Sequence, residues 1–147
     1  MNNKNRIKSR VDRLIAKALV CHMSNAKWRK LFTILRHPSL EVYTVDWKFV
    51  DDDREFKGGI PSERNLLLDR FGDISPYPYG EYKSIEWLEI PKSFPDPRSD
   101  EKRPLPNMKH DLIKIKNFIE SQNYHFPIQI LDSGLRIIGY TWNERSV

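Results

Sequence analysis

The stretch LEVYTVDWKFVDDD, residues 40–53, decides the fold class of this chain. Apolar and polar side chains alternate along it, which is the two-residue period of a β-strand with one buried face. One face carries Tyr43, Val45, Trp47 and Phe49, and the other carries Thr44, Asp46 and Lys48. We therefore expect a strand here whose aromatic face packs on the hydrophobic core.

Two helices are predicted before this strand. Residues 7–19 carry apolar side chains at three- and four-residue steps, with basic residues on the opposite side, as in an amphipathic helix. A second helix is expected to begin at Ser24 or Asn25, because both residue types cap helix N-termini, and to end at Pro38. Its predicted apolar stripe consists of Trp28, Leu31, Phe32 and Leu35.

Four further elements are predicted after the strand. They are a short helix that Pro61 opens and Gly72 closes, a strand at about 82–90, a helix capped by Asn107, and a β-hairpin. The hairpin is FPIQILDSGLRIIGYTW (126–142), where Gly134 suits the positive φ of a bulged turn. The order ααβ(α)βαββ predicts an α+β fold with helices packed on a mostly antiparallel sheet. We expect one domain, 1–147, with a basic helical front (1–36) and a sheet-containing remainder (37–147).

Length and composition favour an intracellular globular protein. The 147 residues are 39% hydrophobic, which is enough for a core that needs no metal or disulfide. The single cysteine, Cys21, excludes an internal disulfide and suits a reducing cytoplasm. Because it continues the first apolar stripe, we expect it to be buried. No stretch approaches the roughly 20 apolar residues that cross a membrane, so no membrane partner is expected.

The charge distribution leaves two functions open. Residues 1–36 hold ten Lys and Arg residues against one acid, a net charge of +9, and the remainder carries −4. Basic side chains on an exposed helix can bind nucleic-acid phosphates; the candidates are Arg6, Arg10, Arg13 and Lys17. Such charge is also typical of a solvated helix face, and the aromatics suited to base stacking lie on the stripe expected to be buried. Nucleic-acid binding is therefore the alternative hypothesis.

The sequence contains no assembled catalytic motif. Its four histidines are scattered over more than a hundred residues, none with a second histidine or cysteine at metal-ligand spacing: His22, His37, His110 and His125. The nucleophile elbow, the P-loop and the dinucleotide fingerprint are all missing from the sequence. We expect a non-enzymatic protein with no catalytic residues, metal or cofactor. The acidic triplet 51–53 is either a solvated turn or a docking site for a basic partner, since the spacing of a calcium loop is lacking.

A proline-rich segment is the strongest candidate for a partner-binding surface. Residues 91–106, the proline loop, hold five prolines around the charged run RSDEKR. Proline lacks a backbone donor, so we do not expect this loop to extend a sheet. Long loops are often functional, and proline stiffening lowers the cost of ordering them on binding. Tyrosines of the neighbouring SPYPYGEY (75–82) are suitable interface anchors. The predicted partner contacts are Tyr77, Tyr79, Tyr82, Arg98, Asp100, Asp51, Asp52 and Asp53.

Three segments resemble those of a small uncharacterised bacterial family. SNAKWRKLF (24–32) resembles its N-x-K-W-R-x-L motif, and YKSIEWLEI (82–90) resembles its Y-x-x-I-E-W-[VL]-E-I motif. LRIIGYTW (135–142) is similar to its closing strand. The matching positions are Trp28, Arg29, Glu86 and Trp87. We expect both tryptophans in the core and an ion pair between Arg29 and Glu86.

This resemblance carries no activity, but the family's size and composition resemble those of immunity proteins. Immunity proteins neutralise toxins that are delivered between competing bacteria. The resemblance implies that the partner is a cognate toxin domain, which this chain would bind and occlude. The sequence therefore favours a cytoplasmic protein-binding protein of the immunity type.

Overall fold

The computed structural model describes residues 10–71 and 80–143. Its centre is a five-stranded antiparallel sheet in the order β3-β2-β4-β8-β7. The strands of this sheet are β2 (Val45–Phe49), β3 (Glu55–Gly58), β4 (Ile85–Pro91), β7 (Ile128–Ile130) and β8 (Gly134–Ile138). Two antiparallel two-stranded ladders accompany it: β1 (Ala18–Cys21) with β9 (Tyr140–Trp142), and β5 (Ser93–Phe94) with β6 (Met108–Lys109). The predicted α+β class is confirmed.

Two helices, each capped by a side chain, pack on the central sheet. Helix α1 (Asn25–Leu35) begins after Ser24, whose Oγ accepts a hydrogen bond from the Lys27 N–H at 3.1 Å. Helix α2 (Leu112–Glu120) begins after Asp111, whose carboxylate accepts from the Lys114 N–H at 3.1 Å. Short 3₁₀ turns lie at Pro38–Leu40, Glu63–Asn65 and Tyr82–Ser84. The cap at Ser24 agrees with the sequence prediction. No helix within the described ranges is long and apolar enough to traverse a bilayer.

The core forms between the helices and one face of the sheet. Val45, Trp47 and Phe49 are buried, as the alternation predicts. The Trp47 ring lies 5.5 Å from the Phe32 ring of α1 and 5.2 Å from Phe71, measured between centroids. Each large apolar side chain buried in this way stabilises the fold by roughly 1.5–3 kcal/mol. Tyr43 departs from the prediction: it lies before the strand and is 54% exposed.

The predicted first helix is wrong from residue 16 onward. Residues 10–15 are helical, but Ala18–Cys21 form β1 and pair with β9; residues 7–9 lie outside the described ranges. Pairing with a strand that is distant in sequence overrides the local helical periodicity. Leu19 is therefore 66% exposed. Cys21 is exposed as well, against the prediction that it is buried, and its thiol donates to the Met23 carbonyl at 3.3 Å.

Two other helix predictions also need correction. Within residues 61–71 the structure has the 3₁₀ turn Glu63–Asn65 and isolated β-bridges in place of the predicted helix, and Leu68 is 77% exposed. Gly72, its predicted end, lies outside the described ranges. Asn107 does not cap the last helix, because Met108 and Lys109 pair with β5 and the helix starts only after Asp111.

The predicted hairpin is present as β7 and β8, although its glycine acts differently from the prediction. Leu131 and Gly134 exchange backbone hydrogen bonds of 2.8 and 3.2 Å across the turn. Gly134 does not have a positive φ. A Cβ built there would lie 2.3 Å from the Ile90 carbonyl oxygen, so glycine is needed because β4 and β8 approach closely at this point.

Candidate functional site

The proline loop leaves the sheet at Pro91 and is closed at its base by the β5–β6 ladder. Ser93 and Phe94, which lie between two prolines, pair with Lys109 and Met108. The prediction that this loop would not join any sheet is therefore wrong for its base, since only the proline positions lack the backbone donor. The Lys92 N–H also donates to the Ser133 carbonyl at 2.8 Å. The loop is thus anchored to the hairpin of the central sheet.

A side-chain clamp fixes the first turn of the loop. The Asp96 carboxylate accepts hydrogen bonds from Arg98 N, Nε and Nη2 at 2.9, 3.1 and 2.8 Å. The Asp96 side chain is only 5% exposed, whereas that of Arg98 is 78% exposed. These hydrogen bonds hold the pKa of Asp96 below its ordinary value, because they favour the ionised carboxylate. The guanidinium thus lies outermost, with its counterion buried beneath it.

The tip of the loop is held by similar local bonds. Asp100 Oδ1 accepts from the Arg103 N–H at 2.6 Å, and Ser99 Oγ accepts from the Leu105 N–H at 2.9 Å. Side-chain acceptors that bond nearby backbone donors are typical of ordered turns. The loop conformation is therefore specified by its own sequence.

The acidic triplet contains a second clamp with the same Asp-x-Arg pattern. Asp52 accepts from Arg54 N, Nε and Nη2 at 2.9, 3.0 and 2.8 Å. The side-chain hydrogen bond from Arg54 lowers the pKa of Asp52 to about 2. The Asp51 backbone carbonyl accepts from Arg10 Nη2 at 3.0 Å, and Asp53 is exposed. Asp52 thus organises a turn, as the solvated-turn interpretation of this triplet expects.

The proline loop forms one side of a largely apolar cavity of about 550 Å³. The facing side is the chain around β2 and β3, which contributes Tyr43, Thr44 and Lys57. From the loop and β6 come Phe94, Pro95, Asp96, Pro97, Arg98 and Met108. We call this cavity the loop pocket. It combines aromatic, proline and methionine walls with two cations, which is the composition typical of a recognition pocket.

His110 supports the pocket from below. It is buried, and its Nε2 accepts from the Tyr43 N–H at 3.0 Å while Nδ1 lies 2.7 Å from the Pro91 carbonyl oxygen. Since a carbonyl only accepts, Nδ1 carries the hydrogen and the ring is neutral. The Phe94 ring stacks on His110 with centroids 4.5 Å apart. Burial lowers the pKa of His110, which favours this neutral form.

Lys57 is the second cation of the loop pocket. Its Nζ lies 3.2 Å from Asp46 Oδ1, and its side chain is 74% exposed while that of Asp46 is 12% exposed. Asp46 and Lys57 are direct neighbours across β2 and β3. The pocket therefore has two cation–carboxylate pairs with the same arrangement, in which the cation faces solvent and the carboxylate is covered.

The predicted partner contacts are only partly placed at this pocket. Arg98 lines it, and Asp100 lies on the adjoining loop tip. Tyr77 and Tyr79 lie outside the described ranges. Tyr82 needs correction, because its ring is fully buried and its hydroxyl donates to the Leu67 carbonyl at 3.0 Å. This residue therefore belongs to the core, where burial raises its pKa to about 12.

The predicted nucleic-acid residues do not share one long helix face. Arg10 and Arg13 lie on the helical residues 10–15, whereas Lys17 lies in the turn before β1. Arg10 donates to the Asp51 carbonyl, as described above. Arg6 lies outside the described ranges.

The matching positions of the family resemblance have separate structural roles. Trp28 is buried in the core and stacks on Phe32. Trp87, expected in the core, is only half-buried and lies under the Arg136 guanidinium, 3.7 Å from the ring centroid. Glu86, expected to pair with Arg29, instead pairs with Lys48 at 3.3 Å. The bulge at Lys48/Phe49 lets Ile85 and Leu88 both lie on the buried face, which leaves Trp87 on the opposite face.

The sequence named Arg98 as a partner contact and placed residues 94–97 in the proline loop, but it did not identify the other residues of the loop pocket: Tyr43, Thr44, Lys57 and Met108. Tyr43 resembled a strand residue and Met108 a helix residue, and His110 has no motif around it. The repeated Asp-x-Arg pattern at 52–54 and 96–98 is a signal that could have indicated both turns. Among the residues that the structure describes, no three His, Cys, Asp or Glu side chains gather in a way that could hold a metal ion.

Comparison with known proteins gives a family but no activity. A family model described as a family of unknown function, DUF6678, matches residues 11–144. No curated protein matches the chain. No solved structure matches it either.

Proposed function

Since the chain belongs to this family of unknown function, we propose a function from the surface of the protein itself. We infer that it is a non-enzymatic protein, which binds a partner protein through the loop pocket and the proline loop. The observation that carries this proposal is the apolar pocket beside a loop whose shape is already fixed. Hydrogen bonds within residues 96–105 hold that loop. Preordering of this kind removes much of the entropic cost of association.

The chemistry of the pocket fits a protein partner. Tyr43 and Arg98 belong to the residue types that most often dominate binding energy at interfaces. Both present much of their surface to solvent, 54% for Tyr43 and 78% for the Arg98 side chain. Met108 and the prolines supply apolar walls that a partner side chain can fill. Binding energy would then come from one inserted apolar anchor and a surrounding polar rim.

Within this proposal, the specific role we favour is that of an immunity-type antidote acting in the cytoplasm. The resemblance to immunity proteins motivates it, and the single exposed cysteine suits a reducing compartment. An antidote acts by covering the working surface of a toxin, so it needs a contact surface and no catalytic residues. The partner would be a cognate toxin domain.

Two matched tyrosine variants test the proposal. Tyr43→Ala removes one wall of the loop pocket while keeping the backbone N–H that bonds His110. Tyr124→Ala removes a tyrosine that is similarly exposed, 45% against 54%, but lies beside Lys30 and not on the pocket. A tagged pull-down from the native cell with mass spectrometry identifies the partner, and calorimetry on the purified pair gives Kd. We expect Tyr43→Ala to weaken binding by about tenfold or more, roughly 1.4 kcal/mol, and Tyr124→Ala to leave it unchanged.

Equal affinity of both variants for the captured partner would refute the loop pocket as the contact surface. A stoichiometric partner that is toxic alone and inactive in the complex would support the antidote role. Nucleic acid in the eluate without a protein partner, with steeply salt-dependent binding, would instead favour the basic N-terminal residues. Thermal melting of both variants is the control for folding.

A further inference from the structure

The charges at the loop pocket indicate what kind of segment enters it. The pocket needs an apolar group to fill its walls, because Phe94, Pro95, Pro97 and Met108 offer few polar atoms. An anion would also use its two cations, which are exposed and keep donors beyond those that bond Asp46 and Asp96. A ligand that satisfies both demands carries an apolar side chain next to a carboxylate.

The cations are placed to meet an incoming anion. The Lys57 and Arg98 side chains are 74% and 78% exposed, whereas their carboxylate partners Asp46 and Asp96 are 12% and 5% exposed. The nearest charges that a ligand meets at the pocket are therefore positive. The carboxylates lie deeper, and three hydrogen bonds already engage that of Asp96.

Both cations keep unused hydrogen-bond donors. Arg98 gives Nε and Nη2 to Asp96, but a guanidinium has five N–H donors. Lys57 contacts Asp46 through an ammonium group with three donors. Each cation can therefore bind a second carboxylate without breaking its present pair.

The surrounding loop has the same sign. Residues 91–109 hold five basic and three acidic residues. Complementary charge of this kind speeds encounter and selects among partners more than it adds affinity. An acidic segment is thus favoured over a neutral or basic one.

Resting on the proposed function, we propose that the loop pocket binds a partner segment in which an aromatic side chain directly neighbours an acidic residue. The aromatic ring packs against the pocket wall that Phe94, Met108 and Tyr43 form. The acidic residue bonds Lys57 and Arg98, which act as specificity-determining residues. An aromatic anchor is favoured because a ring buries 150–250 Å² with little rotamer entropy to lose.

Short peptides with both ends blocked test this inference directly. Gly-Asp-Phe-Gly is compared with Gly-Asn-Phe-Gly and Gly-Lys-Phe-Gly by titration into the ¹⁵N-labelled full chain, with amide shifts as the readout. We expect the acidic peptide to shift the amides of Thr44, Phe94 and Met108 and to bind several-fold more tightly than the asparagine peptide. The lysine peptide should bind most weakly. The preference should shrink when NaCl is raised from about 20 to 500 mM, because exposed charges are screened.

Three glutamine variants assign the preference to its residues. Lys57→Gln and Arg98→Gln should each reduce the acid-over-asparagine preference by roughly two- to fivefold, the range for exposed ion pairs. Glutamine still offers a donor to the buried carboxylate, so the fold is kept. Arg54→Gln is the matched control, because Arg54 forms the same clamp on Asp52 but does not line the pocket. It should leave the preference unchanged.

The outcomes separate this inference from the proposed function. Equal affinity of the three peptides at the pocket amides would overturn the charge preference and leave partner binding through the pocket intact. The inference is also overturned if none of the peptides shifts the pocket amides at millimolar concentration, or if Arg54→Gln lowers the preference as much as Arg98→Gln. In each case the comparison of Tyr43→Ala with Tyr124→Ala judges the proposed function independently.

Discussion

At the scale of single residues, His110 links the fold to the loop pocket. Its two ring nitrogens bond the chain before β2 and the end of β4, and its ring face supports Phe94. A proton added at Nε2 would remove the acceptor of the Tyr43 N–H. The pocket wall therefore depends on the neutral ring.

The pH dependence of stability should show this. In the unfolded chain the pKa of histidine is about 6.5. Burial lowers the pKa of folded His110, against smaller opposing effects of the Pro91 hydrogen bond and the Asp46 charge. Below pH 6.5 the unfolded state therefore binds more protons, and the free energy of unfolding falls as the pH falls. Urea titrations at pH 7.5, 6.5 and 5.5 measure this. We expect His110→Gln to make the free energy of unfolding less dependent on pH. His125→Gln, at an exposed position, should keep the wild-type pH dependence. Equal pH dependence in the two variants would contradict the assignment of the effect to His110.

At the scale of elements, the close approach of β4 and β8 at Gly134 leaves no room for a side chain. Gly134→Ala places a Cβ 2.3 Å from the Ile90 carbonyl oxygen, so the strands must separate locally. We expect a loss of about 1–3 kcal/mol in the free energy of unfolding, the usual cost of overpacking. Gly59→Ala is the control, because its Cβ would meet nothing within 4 Å. It should be neutral or stabilise by up to about 1 kcal/mol. Denaturant titration distinguishes the two, and equal stability would contradict the packing argument.

Elements were predictable where one local pattern decides them. The alternation Val45, Trp47, Phe49 identified β2, and Ser24 identified the start of α1, because burial and capping act over a few residues. Ala18 and Leu19 were predicted as helix, since only the pairing of this segment with β9, more than a hundred residues away, makes it a strand. The helix start at Asn107 failed for the same reason: Asn107 and Asp111 are both good caps, and the pairing of Met108 with Phe94 chooses between them.

The site was less predictable than the fold. The proline loop was identified from its composition and length, and Arg98 was identified with it. The rest of the loop pocket comes from three separate stretches, around positions 43, 57 and 108. Long-range packing brings these together, and no local spacing in the sequence encodes it.

At the scale of the whole molecule, contacts between distant segments tie the described parts together. β1 pairs with β9, and the Tyr140 hydroxyl donates to the Lys83 carbonyl at 2.6 Å. We therefore expect a single cooperative unfolding transition. Urea curves from tryptophan fluorescence and from far-ultraviolet circular dichroism should coincide. The fluorescence includes the signal of Trp28 and Trp47 in the core. Two separated transitions would contradict the prediction that residues 1–147 form one domain.

Under the proposed function, the Asp96–Arg98 clamp would also affect how quickly a partner is captured. A loop that must first find its bound shape imposes a conformational step that slows association. Here three hydrogen bonds hold the turn before any encounter. Capture can then proceed at the rate of correctly oriented collisions, typically 10⁵–10⁷ M⁻¹s⁻¹. For an antidote, which must reach its toxin before the toxin reaches its target, the clamp would act on timing as much as on strength of binding.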